Sequence, residues 1–199
     1  MPVVIAIMHR FPNPEDITPT EFELMVKSWF ESVADSLDEF TAQHLETIQG
    51  SDGEFAFDVT VRFTAFHGAN FLVVAECKKH TSPIKRDIVQ ILNDKKRSIG
   101  AHKGFVISTS PFQSGAQEYA SQHGIALCQV HSGNIAYIQA NAARVPPKIE
   151  ADADPYVATF PCRMADGTVF PVALIARKRT YWLEQFLLES QPEDNQQKR

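Results

Sequence analysis

An aspartate, a glutamate and a lysine near the middle of the chain have the residue types and the spacing of a divalent-cation site. Glu76 and Lys78 lie two residues apart at the end of an apolar run, and Asp58 lies in an alternating segment upstream. Residues two apart on a strand point to the same face, and antiparallel pairing of the two segments would bring Asp58 beside them. Neighbouring carboxylates repel each other unless a cation compensates them, and hard oxygen ligands suit Mg²⁺ or Mn²⁺. A metal there would polarise a phosphoryl oxygen, while Lys78 would orient water or stabilise the charge on the phosphate.

Two predicted strands position these three residues. Residues 71–75 are a continuous apolar run, typical of an interior strand, and turn residues at 67–70 connect it to the upstream segment as a hairpin. Residues 54–64 alternate, which predicts a half-buried strand with Asp58 on one face. The opposite face is expected to carry Phe55, Phe57, Val59, Val61 and Phe63. A strand-end Glu-x-Lys is common as a solvated ion pair, so the triplet alone leaves that ordinary role open.

A helix is predicted upstream of the hairpin. Residues 18–21 form a capping box with a proline at the first helical position. Apolar residues at steps of three and four continue to Val33, which indicates a stripe that faces the core. Glu23 lies beside this stripe, and residues 41–48 predict a polar alternating strand that links the helix to the hairpin.

A strand–helix–strand unit is predicted downstream of the hairpin. Residues 104–109 and 125–130 are apolar runs that predict parallel strands with a right-handed crossover. The helix between them is expected to span residues 110–123, with Gly124 as its C-terminal cap. The hydroxyls at positions 108–110 suit either helix capping or phosphate binding at the helix start.

The segment between these two units is basic. The whole chain has a net charge of −5, yet residues 76–103 hold eight lysines and arginines against three acids, a local charge of +5. A helix here is expected to bury one stripe formed by Ile84, Ile88, Ile91 or Leu92, the stem of Lys95, and Ile99. Another face is expected to carry Arg86, Gln90, Asn93 and Arg97. That face suits phosphate oxygens, although a solvated helix face is the ordinary alternative.

Residues 18–130 resemble the Mrr-type restriction endonucleases of the PD-(D/E)xK nuclease superfamily. The matching residues are Phe22-Glu23, Phe57-Asp58-Val59, Glu76-Cys77-Lys78, Gln90, and the run from Gly104 to Ser110 that leads into residues 116–120. The Glu-Cys-Lys triplet and the Ile-Ser-Thr-Ser stretch are the most specific parts. Phe57 stands where the superfamily pattern has proline, and a glycine-rich approach to the aspartate is reduced to Asp52-Gly53-Glu54.

The resemblance implies an α/β fold, a three-layer α/β/α core with a mixed central sheet, and metal-dependent cleavage of DNA in restriction or defence against foreign DNA. It makes Asp58 and Glu76 the ligands of Mg²⁺ or Mn²⁺ and Lys78 the catalytic lysine. It makes Glu23 and Gln90 accessory site residues. The basic segment supplies the candidate DNA contacts Lys79, Lys85, Arg86 and Arg97.

Composition limits the other classes of protein. Apolar residues make up 44% of the chain, which is enough for a core, and no apolar run approaches the length of a membrane span. The three cysteines are far apart, which indicates a reducing compartment and a cytoplasmic location, and no pair has zinc-ligand spacing. No nucleotide-binding loop occurs, so no nucleotide cofactor is expected. Residues 3–7 read as a short strand or arm.

The expected organisation is a nuclease core at residues 14–131, an appendage at 132–189 and a disordered tail at 190–199. The appendage begins with a linker or extended arm at 141–155, followed by a hairpin and a short helix. We expect it to form a homodimer contact, because two active sites cut a duplex most simply, with DNA contact or coverage of a sheet edge as alternatives. Two other functions remain open: a non-cleaving nucleic-acid-binding or assembly module, and a nuclease for branched DNA, single strands or RNA.

Overall fold

Within the part of the chain that the structure describes, the centre is a seven-stranded sheet whose strand order is its chain order. The computed structural model describes residues 16–66, 68–132, 156–163, 169–175, 183 and 187–188. The strands are β1 Asp38–Gln49, β2 Glu54–Ala65, β3 Ala69–Lys78, β4 Lys103–Ser108, β5 Ile125–Ser132, β6 Tyr156–Arg163 and β7 Val169–Ile175. The helices are α1 Pro19–Glu31, α2 Arg86–Ser98 and α3 Ser114–His123, and a short 3₁₀ turn spans Ala34–Ser36.

The sheet is mixed, as predicted. Strands β1, β2 and β3 are antiparallel neighbours, β3, β4 and β5 are parallel, and β5, β6 and β7 are antiparallel again. The parallel pairs are the ones joined through α2 and α3, because only a long crossover can return the chain to the same end of a sheet.

Helix α1 begins as its sequence predicts. The Thr18 hydroxyl accepts from the Glu21 amide at 3.2 Å, and the Glu21 carboxylate accepts from the Thr18 amide at 2.7 Å. This reciprocal pair satisfies two amides that the first turn leaves without helical partners. The helix buries four apolar side chains against the sheet: Phe22, Val26, Trp29 and Phe30.

Two apolar layers lie on opposite faces of the sheet, which confirms the three-layer α/β/α prediction. The α1-side core contains the buried residues of α1 and alternate residues of β3, β4 and β5. The α2-side core contains buried residues of α2 and α3 with the intervening strand residues. Because Val74 and Val106 belong to the α2-side core, the alternation of β3 turns Glu76 toward the α2 side as well.

The predicted single apolar face of β2 is wrong at one end. Val59, Val61 and Phe63 lie in the α1-side core, but Phe57 lies in the α2-side core and Phe55 packs against it. The faces of β2 exchange at Asp58, between the pairs His44–Val59 and Glu46–Phe57, and Leu45, the β1 residue between those pairs, is left-handed at φ 55°. A left-handed residue rotates its own strand about its axis, so β1 changes faces at Leu45, and β2 changes faces at the same level of the sheet.

The two downstream helices agree with their predictions to different degrees. Helix α3 begins at Ser114 and not at Ser110, and Gly124 caps its C-terminus in the expected left-handed conformation. Helix α2 buries Val89, Leu92, Asn93 and Lys96. Its predicted stripe is confirmed with Leu92 at the position left open, because Ile84 and Leu92 are buried in the α2-side core, Ile88 and Ile99 pack against that core, and Ile91 is 53% exposed.

The C-terminal hairpin extends the sheet. Strand β6 pairs with β5 from Gln129–Thr159 to Ser132–Tyr156, and β7 pairs with β6, which confirms the predicted hairpin. Of the three roles left open for the appendage, these pairs show the coverage of a sheet edge. The side chains of Leu183 and Leu187 are buried in the α1-side core. The predictions for residues 3–7, 141–155 and 190–199 lie outside the described residues.

Candidate active site

The candidate site lies where β2 and β3 separate. Their paired register ends at Val59–Ala75, and Asp58 is the next residue on β2. Its Oδ2 accepts a hydrogen bond from the Cys77 amide at 2.6 Å, so a side chain replaces the backbone partner that a continuing ladder would supply. We call this place, with its residues Asp58, Glu76, Cys77 and Lys78, the fork. Asp58 thereby lies directly beside the residue that separates Glu76 from Lys78 on β3.

Glu76 and Lys78 form an ion pair on β3. The Lys78 Nζ donates to Glu76 Oε1 at 2.6 Å, and both side chains are largely buried. Desolvation alone would lower the pKa of Lys78, but its hydrogen bond to Glu76 and the attraction of Glu76 and Asp58 outweigh desolvation and raise it. Lys78 is therefore a cation at neutral pH, suited to donating a hydrogen bond and not to accepting a proton.

Asp58 lies in an anionic environment. Burial raises the pKa of its carboxyl group, and Glu76 and Glu23 raise it further. The Cys77 amide and Lys78 oppose that rise without cancelling it. A carboxylate that remains unfavourable despite two stabilising partners would gain from an additional cation.

Glu23 reaches the same neighbourhood from α1. Its carboxylate lies 2.7 Å from His44 Nε2 on β1, and both side chains are mostly buried. Glu23 is close enough to raise the pKa of Asp58 and of Cys77. Glu23 therefore lies near Asp58, and His44 is a neighbour that the sequence did not predict. The polar alternation of β1 was its only signal.

Lys95 on α2 is a second residue that the sequence reading missed. Its Nζ lies 3.5 Å from Glu76 Oε2 and donates to the Ala56 carbonyl at 3.2 Å. A partial signal was present, because this lysine falls within the apolar stripe by which the helix is expected to pack on the sheet. Its stem was expected to be buried, but its ammonium group was not assigned to the site.

Within the described residues, the remaining predicted residues form no hydrogen bond or ion pair with Asp58, Glu76 or Lys78. Gln90 is half-buried, its side chain makes no hydrogen bond with a described residue, and it lies about 140° around α2 from Lys95. Lys79, Lys85, Arg86 and Arg97 are exposed. The Arg86 guanidinium lies 5.1 Å from the centre of the Tyr119 ring. The buried Asn93 amide donates to the Tyr119 hydroxyl at 3.0 Å, so Asn93 is not the surface donor that was predicted.

The hydroxyls at positions 108–110, expected either to cap a helix or to bind phosphate, instead hydrogen-bond to the loops beside the fork. The Ser108 hydroxyl accepts from the Ser110 amide at 2.9 Å. Thr109 Oγ1 exchanges hydrogen bonds with the backbone of His80 at 3.1 Å, and the Ser110 hydroxyl also donates to the His80 carbonyl. These contacts hold the loop after β3 against the loop after β4, so the phosphate-binding alternative is not supported here.

The thiol of Cys77 has a packing role, as expected. It is buried in the α1-side core, and burial raises its pKa well above the ordinary value, with Asp58, Glu23 and Glu76 adding to the rise. A thiol that stays protonated is a poor nucleophile. The chemistry of the fork therefore rests on its carboxylates and ammonium groups.

The donor set of the fork fits Mg²⁺ or Mn²⁺. Within the described residues no group of three or more histidine, cysteine, aspartate or glutamate side chains could enclose a metal. Mg²⁺ does not need such a cage, because it is usually held by one or two carboxylates and keeps several waters or substrate oxygens. Asp58 and Glu76 are such a pair, and the raised pKa of Asp58 indicates unmet negative charge.

The family comparison agrees with this geometry. The model of the Mrr-type catalytic domain, described as restriction endonuclease, matches residues 15–132, which is more than half of the chain. The chain belongs to this restriction endonuclease family. Family membership supports a nuclease, and the matched segment contains every residue of the fork. No curated protein matches this restriction endonuclease family member.

Solved structures share parts of the fold at low sequence identity. A protein of unknown function, AF1548, is 18% identical with a TM-score of 0.42, over 54% of this chain and 55% of that one. The DNA modification-dependent restriction endonuclease AspBHI is 16% identical with a TM-score of 0.39, over 63% and 31%. The MspJI restriction endonuclease, in complex with a 27-mer oligonucleotide, is 15% identical with a TM-score of 0.38, over 63% and 27%. The chain thus spans about half or less of each of these proteins. No helix within the described residues is long and apolar enough to cross a membrane.

Proposed function

We propose that this protein is a Mg²⁺-dependent endonuclease that hydrolyses DNA phosphodiester bonds in defence against foreign DNA. The observation that carries the proposal is the fork, where the Asp58 carboxylate accepts from the Cys77 amide beside the Glu76–Lys78 ion pair. Membership of the restriction endonuclease family supports DNA as the substrate.

Each candidate site residue has a distinct role in this proposal. Asp58 and Glu76 hold the cation, with Mn²⁺ as an alternative to Mg²⁺, and the bound metal supplies Lewis-acid stabilisation of the phosphate. Lys78, kept protonated by Glu76, donates to a phosphate oxygen or to the attacking water. Glu23 adds negative charge beside Asp58 and supports cation binding. Gln90 is the proposed accessory residue of α2.

The basic residues near the fork are the proposed DNA contacts. Lys79 follows β3 directly, and Lys85, Arg86 and Arg97 lie at the two ends of α2, all exposed. Their charges would neutralise backbone phosphates and hold the duplex over the fork. We also propose a homodimer, since two forks would cut the two strands of a duplex.

Plasmid cleavage tests the proposal. We expect the wild type to nick or linearise supercoiled DNA with Mg²⁺ or Mn²⁺ and to be inactive in EDTA. Lys78→Ala should reduce the rate by at least about 10²-fold, the size expected when a charge-stabilising group is lost. Lys27→Ala is the matched control, because it removes the same charge from the far end of α1, where Lys27 pairs with Glu31.

The other outcomes separate the alternative functions. A folded wild type that binds duplex DNA without cutting it in either metal would support a non-cleaving binding or assembly module. Preferred cleavage of branched DNA, single strands or RNA in competition assays would replace the duplex substrate. Equal loss of activity in Lys78→Ala and Lys27→Ala would contradict the role assigned to Lys78.

A further inference from the structure

Lys95 connects the two sides of the fork. Its Nζ donates to the Ala56 carbonyl on β2 at 3.2 Å and lies 3.5 Å from Glu76 Oε2 on β3. The ammonium also lies 5.6 Å from the centre of the Phe57 ring. These three contacts belong to a side chain of α2, so a helix reaches across the gap that opens beyond the last β2–β3 pair. Such an arrangement fixes the direction of the Glu76 carboxylate.

Each of the two carboxylate oxygens of Glu76 lies near the ammonium group of a lysine. Lys78 donates to Oε1 at 2.6 Å, and Lys95 lies near Oε2 at 3.5 Å. The side chains of Glu76 and Lys95 are only 15% and 23% exposed. Because water screens such partly buried charges poorly, both ammonium groups act on any cation that approaches Glu76.

We propose that Lys95 is a built-in counter-cation of Glu76 that weakens the affinity of the fork for divalent metal. This inference rests on the proposed function, because it requires Glu76 to be a metal ligand. A metal that binds Oε2 must overcome the repulsion of Lys95 or displace its ammonium group. Lys95 is a positioning residue in this scheme, since it acts through Glu76 and through the β2 backbone.

The alternative is that Lys95 has a purely structural role and only attaches α2 to the sheet. In that role it would affect the stability of the protein and leave its metal affinity unchanged. Lys95→Met separates the two roles, because methionine keeps an apolar stem over Phe57 and removes the charge. Lys95→Arg keeps the charge, and Lys27→Met removes the same charge from an ion pair on α1, where the Lys27 side chain is 24% exposed, close to the 23% of Lys95.

Calorimetric titration of the DNA-free protein with Mn²⁺ is the test. We expect Lys95→Met to bind Mn²⁺ about tenfold more tightly than the wild type, the order of effect of removing one nearby charge. Lys95→Arg and Lys27→Met should keep the wild-type affinity. Adding Glu76→Gln to Lys95→Met should abolish the gain, because the repulsion acts at Glu76. Thermal melts in EDTA verify that each variant is folded, and Lys95→Gln serves if the methionine variant is not.

The outcomes distinguish this inference from the proposed function. Unchanged or weaker Mn²⁺ binding in a folded Lys95 variant, beside a wild type that binds Mn²⁺ and cuts DNA, would overturn the inference and leave the proposed function intact. A wild type that binds no Mn²⁺ would overturn both. Tighter binding that persists in the presence of Glu76→Gln would place the metal elsewhere and would also overturn the inference.

Discussion

The Asp58 carboxylate is held in a position that disfavours its charge. Burial raises its pKa, and the carboxylates of Glu76 and Glu23 raise it further. Its hydrogen bond from the Cys77 amide needs only an oxygen acceptor, which asparagine also provides. Charge and hydrogen bonding at this residue can therefore be separated by one substitution.

Asp58→Asn should abolish metal-dependent cleavage without destabilising the metal-free protein. We expect the free energy of unfolding in EDTA at neutral pH to be unchanged or higher by up to about 1 kcal/mol, a modest gain because the side chain is partly exposed. Urea unfolding measures this quantity. A loss of 2 kcal/mol or more, about the cost of a broken buried hydrogen bond, would show that the charge itself stabilises the fork.

The same residue predicts a pH dependence. Folding raises the pKa of Asp58, so the folded state binds the proton more tightly than the unfolded state. In EDTA, wild-type stability relative to Asp58→Asn should fall as pH rises from the ordinary value of about 3.9 through the raised pKa, and should level off above it. Urea unfolding of both proteins between about pH 4 and 8 checks the sign. If the free energy of unfolding of the wild type rose with pH relative to that of Asp58→Asn, the predicted sign would be wrong.

For single residues, the sequence predicts the candidate site residues on β2 and β3 better than the residues of other elements that contact them. Asp58, Glu76 and Lys78 follow from strand alternation and hairpin pairing, which are local patterns. The contacts of His44 with Glu23 and of Lys95 with Glu76 join different elements, so they depend on how a helix sits on the sheet. A hydropathy pattern tells which face of a helix is buried, but not which strand residue that face meets.

Among the elements, β1 and β2 change faces together. Leu45 adopts a left-handed conformation at φ 55° although it has a side chain, and it opposes Asp58 between two regular pairs. On β1, Ala42 packs against the α1-side core and Ile48 against the α2-side core. Simple alternation misplaced Phe55 and Phe57 for this reason, since a single left-handed residue leaves no hydropathy signal.

Leu45→Gly should be more stable than Leu45→Ala by about 1 kcal/mol. Both variants remove an exposed side chain, but only glycine adopts a positive φ without a steric penalty. The comparison isolates the backbone conformation, and chemical denaturation measures it. Equal stabilities, or a more stable alanine variant, would mean that β1 does not hold the left-handed conformation in solution.

The start of α3 shows why a sequence signal for a helix can be overridden. Ser110 and Pro111 are good residues for a helix start, yet the helix begins at Ser114. The Ile84 amide donates to the Pro111 carbonyl at 2.8 Å, and the Gln113 amide donates to the Ile84 carbonyl at 3.0 Å. The segment before α3 therefore pairs with the segment before α2, a tertiary contact that local propensity does not encode.

Across the whole molecule, two leucines near the C-terminus, Leu183 and Leu187, contribute to the α1-side core. Leu187 is fully buried in the α1-side core, whereas Leu188 is only partly buried against it. Leu187→Ala should cost about 2–5 kcal/mol and lower the Tm by roughly 5–15 °C. Leu188→Ala should lower the free energy of unfolding by clearly less than Leu187→Ala does. Calorimetry in EDTA should give a single unfolding transition for both variants. If Leu187→Ala had the Tm of the wild type, Leu187 would not be part of the core.

The sheet topology also bears on how the chain is made. Because strand order is chain order, each strand that leaves the ribosome finds its partner already synthesised. All residues of the fork, and both lysines of Glu76, precede β4, so the acidic cluster and its counter-charges emerge together. The edge of β3 that pairs with β4 stays unpaired until β4 has been synthesised. Adding the 24 residues between Lys78 and Lys103 takes roughly one to five seconds. During that interval the nascent chain exposes an unpaired strand edge, the kind of surface through which incomplete chains aggregate.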